Sequence, residues 1–373
     1  MLTTLILILI LSVLVLAHEF GPFHLARKND VRVEEFGWGL PPRAWGKKIG
    51  ETIYSINWLP FGGFVKLTGE DFDEDPKAVK DPRSFANKKP SQRAAILVAG
   101  VVMNVIVAIF IYLVLFFMTN FKTMTLPLFF DYDFAFGNQE NTNTVITNFV
   151  EGSTLDGVAE VGEAIIEIDG SPVYNAADVR EALEDKDGIE VSLLLMDIRP
   201  IERTFRGVRA IPQANEEGNV LLGVALSPGF RLHYHNRILA APQHSYNILA
   251  YSLSTLGGLV KESFEAGDIA PLSASVSGPV GVFSTLDSII GFSGKEALVG
   301  ILDLSALLSL SLALLNILPF PALDGGRLFF VLYEMISGKK VKPEIEGNLH
   351  RWGMLALLAL IILVTVKDVR NLL

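Results

Sequence analysis

Near the N-terminus, Ala17-His18-Glu19-Phe20-Gly21-Pro22-Phe23-His24 closes an apolar stretch that runs from Leu5 to Ala17. An imidazole beside a carboxylate is a pair able to bind a metal and to move a proton. In the pattern His-Glu-x-x-His, two imidazoles four residues apart share one helical face and bind zinc, while the glutamate acts on the metal-bound water. Here Pro22 stands four residues after His18, in the place of the second histidine. Far along the chain, Asp324 lies in Asn316-Ile-Leu-Pro-Phe-Pro-Ala-Leu-Asp-Gly-Gly-Arg327, at the end of another apolar run. His18 and Asp324 are two possible zinc ligands and Glu19 a possible base, drawn from distant parts of the chain. Each also has a plainer reading: His18 and Glu19 face water where a helix meets the membrane surface, and Asp324 caps a turn at a helix end.

The elements that must position these groups follow from hydropathy. Half of the 373 residues are apolar and 19% are charged, a balance that marks a membrane protein. Four stretches are apolar enough to span a bilayer, about residues 2 to 26, 94 to 118, 299 to 319 and 353 to 366. The first reads as a span and not a signal peptide, because no basic region precedes it and no small-x-small cleavage site follows before His18. The loop from Arg27 to Arg93 is dense in Lys and Arg, and Lys339, Lys340, Lys342 and Arg351 follow the third span. Both segments are expected in the cytoplasm. The long segment between the second and third spans is sparser in basic residues, so it is expected outside, together with both termini. Two prolines, two glycines, an asparagine and an aspartate where the third span ends are costly in lipid unless they line a protein-enclosed or wet cavity. The chain has no cysteine, which excludes disulfides and thiolate metal sites. Its net charge of −10 and its hydropathy argue against nucleic acid as a partner.

Outside the spans, Val31 to Phe36, Thr52 to Leu59 and Pro60 to Leu67 read as a small antiparallel unit, with turns at Gly37, Gly39, Pro41 and Pro42. Glu70 to Lys89 reads as a solvated loop. Farther on, strands are expected at Thr144 to Val150, Val161 to Val173, Ile189 to Met196 and Arg203 to Val208, with turns at Glu151-Gly-Ser153 and Asp169-Gly170. A helix is expected from Ala176 to Glu184. These make an α+β module of about ninety residues with no internal repeat. Arg237 to Lys261 has the spacing of an amphipathic helix, and Ser277-Gly-Pro-Val-Gly281 reads as a tight turn. His233, His235 and His244 are expected at a surface or an interface.

Taken together, His18-Glu19, Val31 to Phe36, Leu59-Pro-Phe-Gly-Gly-Phe-Val-Lys-Leu67, Ala99-Gly100 with Asn104, Ser277-Gly-Pro-Val-Gly281 and Asn316 through Arg327 make nearly the whole chain resemble the site-2 proteases. These are intramembrane zinc metalloproteases, and the likeness is greatest to the bacterial branch that cleaves anti-sigma factors. The resemblance implies a polytopic α-helical membrane protein of about four transmembrane helices, with a cytoplasmic membrane-associated β-loop and an inserted α+β, PDZ-like domain. Its parts would be residues 1–118 with the first two spans and the β-loop, 119–236 with the PDZ-like domain, 237–298 as an amphipathic linker and 299–373 with the last two spans. It implies Zn2+ held by His18 and Asp324, with Glu19 as the catalytic base. Phe61, Gly62, Gly63, Phe64 and Val65 would bind an unwound substrate as an added strand. Asn104, Asn316 and Pro321 would support the site. Single-pass membrane proteins would be the substrates, in the bacterial inner membrane, with the PDZ-like domain outside as a size filter or peptide sensor.

The departure from the family pattern is Pro22, which takes the place of the second histidine. His24 is the nearby replacement; on an intact helix it would sit roughly 120° around from His18 and about 9 Å along the axis. A kink at Pro22, which lacks the N–H for the His18 carbonyl, would be needed to swing it in. Without a third ligand, zinc binding would weaken by orders of magnitude. In the PDZ-like module, Ser153-Thr154-Leu155-Asp156 stands where a Ser-Pro-Ala-like turn is usual. A second reading is a pseudoprotease that binds or sequesters transmembrane helices, and a third is a transporter with a broken helix. The third leaves the β-loop and the extramembrane module without a role.

Overall fold

A computed structural model describes residues 1–70, 81–150, 152–199, 203–215, 218–268, 277–292 and 294–372. The expected loop from Glu70 to Lys89 lies partly outside these residues, as does Glu151 of the expected turn. The chain divides into two compact units, one of residues 1–112 with 248–373 and one of residues 113–247.

The first unit holds helices long and apolar enough to cross a membrane. These are α1 (Leu2–Lys28), most of α2 (Pro90–Thr119), α6 (Gly294–Ile317) and the stretch Glu344–Arg370 of α8 (Pro343–Leu372). Helix α1 runs through Pro22 as one element and stops at Asn29, whose side chain donates to the Leu25 carbonyl at 2.8 Å. The last span is longer than hydropathy indicates, because its first turns carry Glu344, Glu346, His350 and Arg351 and still wind as helix. Ser277 to Gly281 is not a free-standing turn. Gly278 is the N-cap of α5 (Pro279–Gly291), and Pro279 occupies the first helical turn, where its missing N–H costs nothing.

Strands β1 (Val33–Ile49) and β2 (Thr52–Leu67) pair as a long irregular hairpin closed at Gly50. At the tip Ile49 faces Thr52 and Arg43 faces Asn57, while at the base Val33 faces Leu67 and Trp38 faces Gly63. Glu35 to Trp38 also have Ile53 to Ile56 alongside, so the base of β1 is flanked on both sides. The turns expected at Gly37, Gly39, Pro41 and Pro42 are instead irregularities of register within β1. The glycines serve close approach: a Cβ on Gly37 would lie 2.5 Å from the Phe64 ring, and one on Gly39 2.5 Å from the Leu59 carbonyl oxygen. Phe23, Val31, Val33, Leu67, Phe85 and Ile96 form the apolar cluster beneath the hairpin base. Phe23, next to Pro22, sets its ring edge-on to Phe36 at 5.1 Å and so fixes the end of α1 against β1.

The second unit is built on a sheet in the order β3 (Leu126–Pro127), β9 (Val224–His233), β4 (Asn138–Phe149), β5 (Glu163–Ile168), β7 (Val191–Asp197), β8 (Thr204–Ala210), with β6 (Ser171–Pro172) beside β5. Helix α3 (Ala176–Leu183) packs Val179 and Leu183 with Ile146, Ile165 and Leu193 of the sheet. The helix starts where Asn175 accepts the N–H groups of Ala177 and Asp178. The turn at Asp169 and Gly170 places both residues at positive φ, as an Asp-Gly pair favours. The Asp169 carboxylate accepts the Ser192 N–H at 2.8 Å, and that bond holds its pKa below the usual value.

Helix α4 (Ala240–Ala266) corrects one expectation: His244 is a core residue and not a surface one. The Tyr234 hydroxyl donates to its Nδ1 at 3.0 Å, and Asn247 Nδ2 donates to that hydroxyl at 2.9 Å. Burial pushes the imidazole down to about 3. His233 and His235 stand ring to ring at 5.1 Å.

Candidate active site

The two groups that the sequence separates most widely are adjacent in space. His18 Nε2 lies 2.9 Å from Asp324 Oδ2, across 306 positions of chain. Helix α1 supplies His18 on a buried face, and Gly100 of α2 makes room for the ring: a Cβ there would sit 2.4 Å from His18 Nε2. The Asn104 side chain, fully buried on α2, meets His18 Nδ1 at 3.2 Å. Ser309 of α6 donates its hydroxyl to the Asn104 carbonyl at 2.8 Å and ties the third span to the second at this level.

Asp324 opens helix α7 (Asp324–Ser337) after the loop that follows Ile317. The loop folds back tightly: a Cβ on Gly325 would lie 2.1 Å from the Leu318 carbonyl oxygen, and one on Gly326 2.4 Å from that of Phe320. Leu-Asp-Gly-Gly therefore needs its glycines for packing of backbone on backbone. One turn beyond Asp324, Arg327 pairs with Glu70 just past β2, and Arg93 pairs with Glu334 at 2.5 Å. These ion pairs tie α7 to the hairpin and to α2.

Two cavities meet at Glu19 and Asp324. The larger, about 710 Å³, is lined by Glu19, Phe64, Val65, Lys66, Asp324 and His350 among others. The smaller, about 180 Å³, is lined by His18, Glu19, Asn104, Leu312, Asn316 and Asp324 among others. Glu19 shares the larger cavity with Phe64, Val65 and Lys66 of β2. Residues 63–67 pair with β1, and Phe64, Val65 and Lys66 among them line the cavity beside Glu19 and Asp324.

His18, Glu19, Asn104, Asn316 and Asp324 are thus brought together, with Phe64 and Val65 beside them, while Gly63 faces Trp38 and lines neither cavity. Gly62, at φ 82, sits at the start of that stretch, and the Phe61 side chain lies outside the described residues. Pro321 packs on α8, where a Cβ on Gly353 would lie 2.4 Å from it. His24 is not brought to the site. It is exposed on the unbroken helix, its ring beside Phe20 with centroids 6.1 Å apart, and it lines neither cavity. The sequence reading missed His350, whose Nδ1 accepts the Ala322 N–H at 2.9 Å. It also missed Ser309 and the Arg327–Glu70 pair, none of which carries a sequence signal.

As donors for zinc, His18 Nε2 and Asp324 Oδ2 fit, being close enough to share one coordination sphere. The buried Asn104 Oδ1 has no hydrogen-bond partner among the described residues. Turning that amide over would let Oδ1 accept a proton held on His18 Nδ1 and leave Nε2 open for a metal. Pro22 has no donor, and among the described residues no three His, Cys, Asp or Glu side chains cluster closely enough to hold a metal.

The profile of Peptidase family M50 matches residues 6–360. A Clostridium perfringens (strain 13) protein, provisionally named a zinc metalloprotease, is 32% identical over 366 residues, 97% of each chain. Zinc metalloprotease RasP of Shouchella clausii is 24% identical over 445 residues, 99% of each chain. Among solved structures, the PDZ domain of an SdrC-like protein from Listeria monocytogenes matches 23% of this chain and 87% of its own, at 16% identity and a TM-score of 0.20.

Proposed function

The chain belongs to Peptidase family M50, the site-2 metalloproteases, and from that premise we propose that it cuts single-pass membrane proteins within their spans, in the bacterial inner membrane. The observation that carries this reading is the meeting of His18 and Asp324 beside Glu19, in a cavity bordered by a strand. Zinc is the metal of the family's chemistry, and when held by His18 and Asp324 it would polarise the scissile carbonyl and acidify water. Glu19 takes a proton from the attacking water at its carboxylate and passes it to the leaving nitrogen. A helical substrate span hides its peptide bonds, so it must unwind before cleavage. Residues 63–67 receive the unwound stretch as an added strand, and main-chain hydrogen bonds give hold with little demand on sequence. Asn104 orients His18, and Asn316 and Pro321 shape the cavity floor and the loop before Asp324. Residues 119–236 act outside the membrane as a PDZ-like filter that senses peptide ends or excludes bulky ectodomains.

The test is cleavage of a model span by purified protein, read together with zinc content. The wild-type chain is expected to cut, Glu19→Gln to lose about 100-fold or more, and Pro22→His to bind zinc more tightly. A wild-type chain that does not cut, or a Glu19→Gln variant that cuts as well, overturns the reading.

A further inference from the structure

Helix α8 reaches the loop that carries Asp324 through two residues on one face, three positions apart. His350 accepts the Ala322 N–H at Nδ1, and Gly353 lets Pro321 lie directly on the helix. Ala322 between them has φ 83, in the left-handed region that an alanine enters only under constraint. The conformation must therefore be imposed from outside the loop. The His350 ring is itself held against Phe330 of α7, with centroids 6.1 Å apart, so one side chain braces both the loop and the helix that Asp324 begins. Ala322 is two residues from a carboxylate whose place opposite His18 is defined by a 2.9 Å contact. Small displacements of such a group carry large penalties in rate.

We propose that His350 is a positioning residue for the peptidase reaction: by accepting the Ala322 N–H it holds the left-handed turn that sets the Asp324 carboxylate against His18. The proposal rests on the peptidase reading for its kinetic consequence but not for its geometry. In a neutral ring whose Nδ1 accepts, the proton sits on Nε2, and this tautomer is a signature of its own. Asparagine at 350 keeps an acceptor near the Nδ1 position, whereas phenylalanine keeps the ring and loses the acceptor.

The experiment uses the full-length protein. Histidine 15N spectra of wild type and His350→Phe assign the His350 tautomer; zinc affinity and cleavage are measured for wild type, His350→Asn, His350→Phe and Gly353→Ala. The expected results are an Nε2–H ring, zinc binding and kcat lowered about ten-fold or more in His350→Phe with KM little changed, and His350→Asn close to wild type. Gly353→Ala, which displaces Pro321 and leaves His350 in place, should lower kcat in the same way. A proton on Nδ1, or equal losses of kcat and zinc affinity in His350→Asn and His350→Phe, or no loss in either, overturns the proposal. A wild-type chain that cuts no span defeats the peptidase reading alone, because the tautomer and the zinc affinities still decide this one.

Discussion

Asn104 is fully buried and meets His18 Nδ1 at 3.2 Å, so its loss takes away the side chain that orients the imidazole. Asn104→Ala is expected to lower turnover by about 10–100-fold, the usual penalty for removing a partner that orients a metal-site imidazole. Steady-state kinetics together with a thermal melt check this, since the melt should move far less than the rate. At this scale the sequence was legible where a residue breaks the rule of its surroundings. His18 and Glu19 in an apolar run, and Asp324 among prolines and glycines at a span end, are conspicuous because charge in lipid is costly. His350 follows an ordinary polar turn at the start of the last span, and Ser309 is one serine among several in α6. Their roles depend on contacts across 28 and 205 positions, which no local pattern encodes.

The helices show which ends are fastened. The α5 N-terminus has no cap of its own, yet its Gly278 and Gly281 N–H groups both donate to Asp368 Oδ2 of α8, at 2.8 and 2.9 Å. A carboxylate on free N–H groups at a helix start also meets the positive end of the helix dipole. Asp368→Asn should destabilise α5 by about 0.5–2 kcal/mol, read as faster hydrogen exchange in residues 279–291. The sequence marks this segment as a turn because Gly-Pro-Val-Gly looks like one, and the acceptor that converts it into a helix start lies 90 residues away. The hairpin was legible as β structure from alternation. Its irregular register was not, because Gly37 and Gly39 look like turn formers when they in fact make room for Phe64 and Leu59.

At the scale of the whole molecule, spans and the α+β unit follow from hydropathy and periodicity, while the interior of that unit holds a titratable group the sequence does not reveal. His244 is neutral and buried in the folded chain, with a pKa near 3. Once unfolded, it takes up a proton below about pH 6.5. The unfolded state therefore binds more protons between those values, and stability is lost as pH falls through that window, by up to about 1.4 kcal/mol per pH unit. Above pH 6.5 this contribution does not vary. Chemical unfolding of the full-length protein at pH 5 and pH 7 should show the difference, and His244→Gln should flatten it; a slope unchanged by that substitution assigns the acid sensitivity elsewhere. The strand of residues 63–67, paired with β1 and lining the cavity of Glu19 and Asp324 through Phe64, Val65 and Lys66, gives the proposed strand addition a pharmacological corollary. Along a strand, successive N–H groups point alternately toward and away from the neighbour. An extended peptide inhibitor scanned with N-methyl groups should therefore lose potency at every second position and tolerate methylation in between, a two-residue rhythm that would tell a strand-pairing ligand from one held by its side chains.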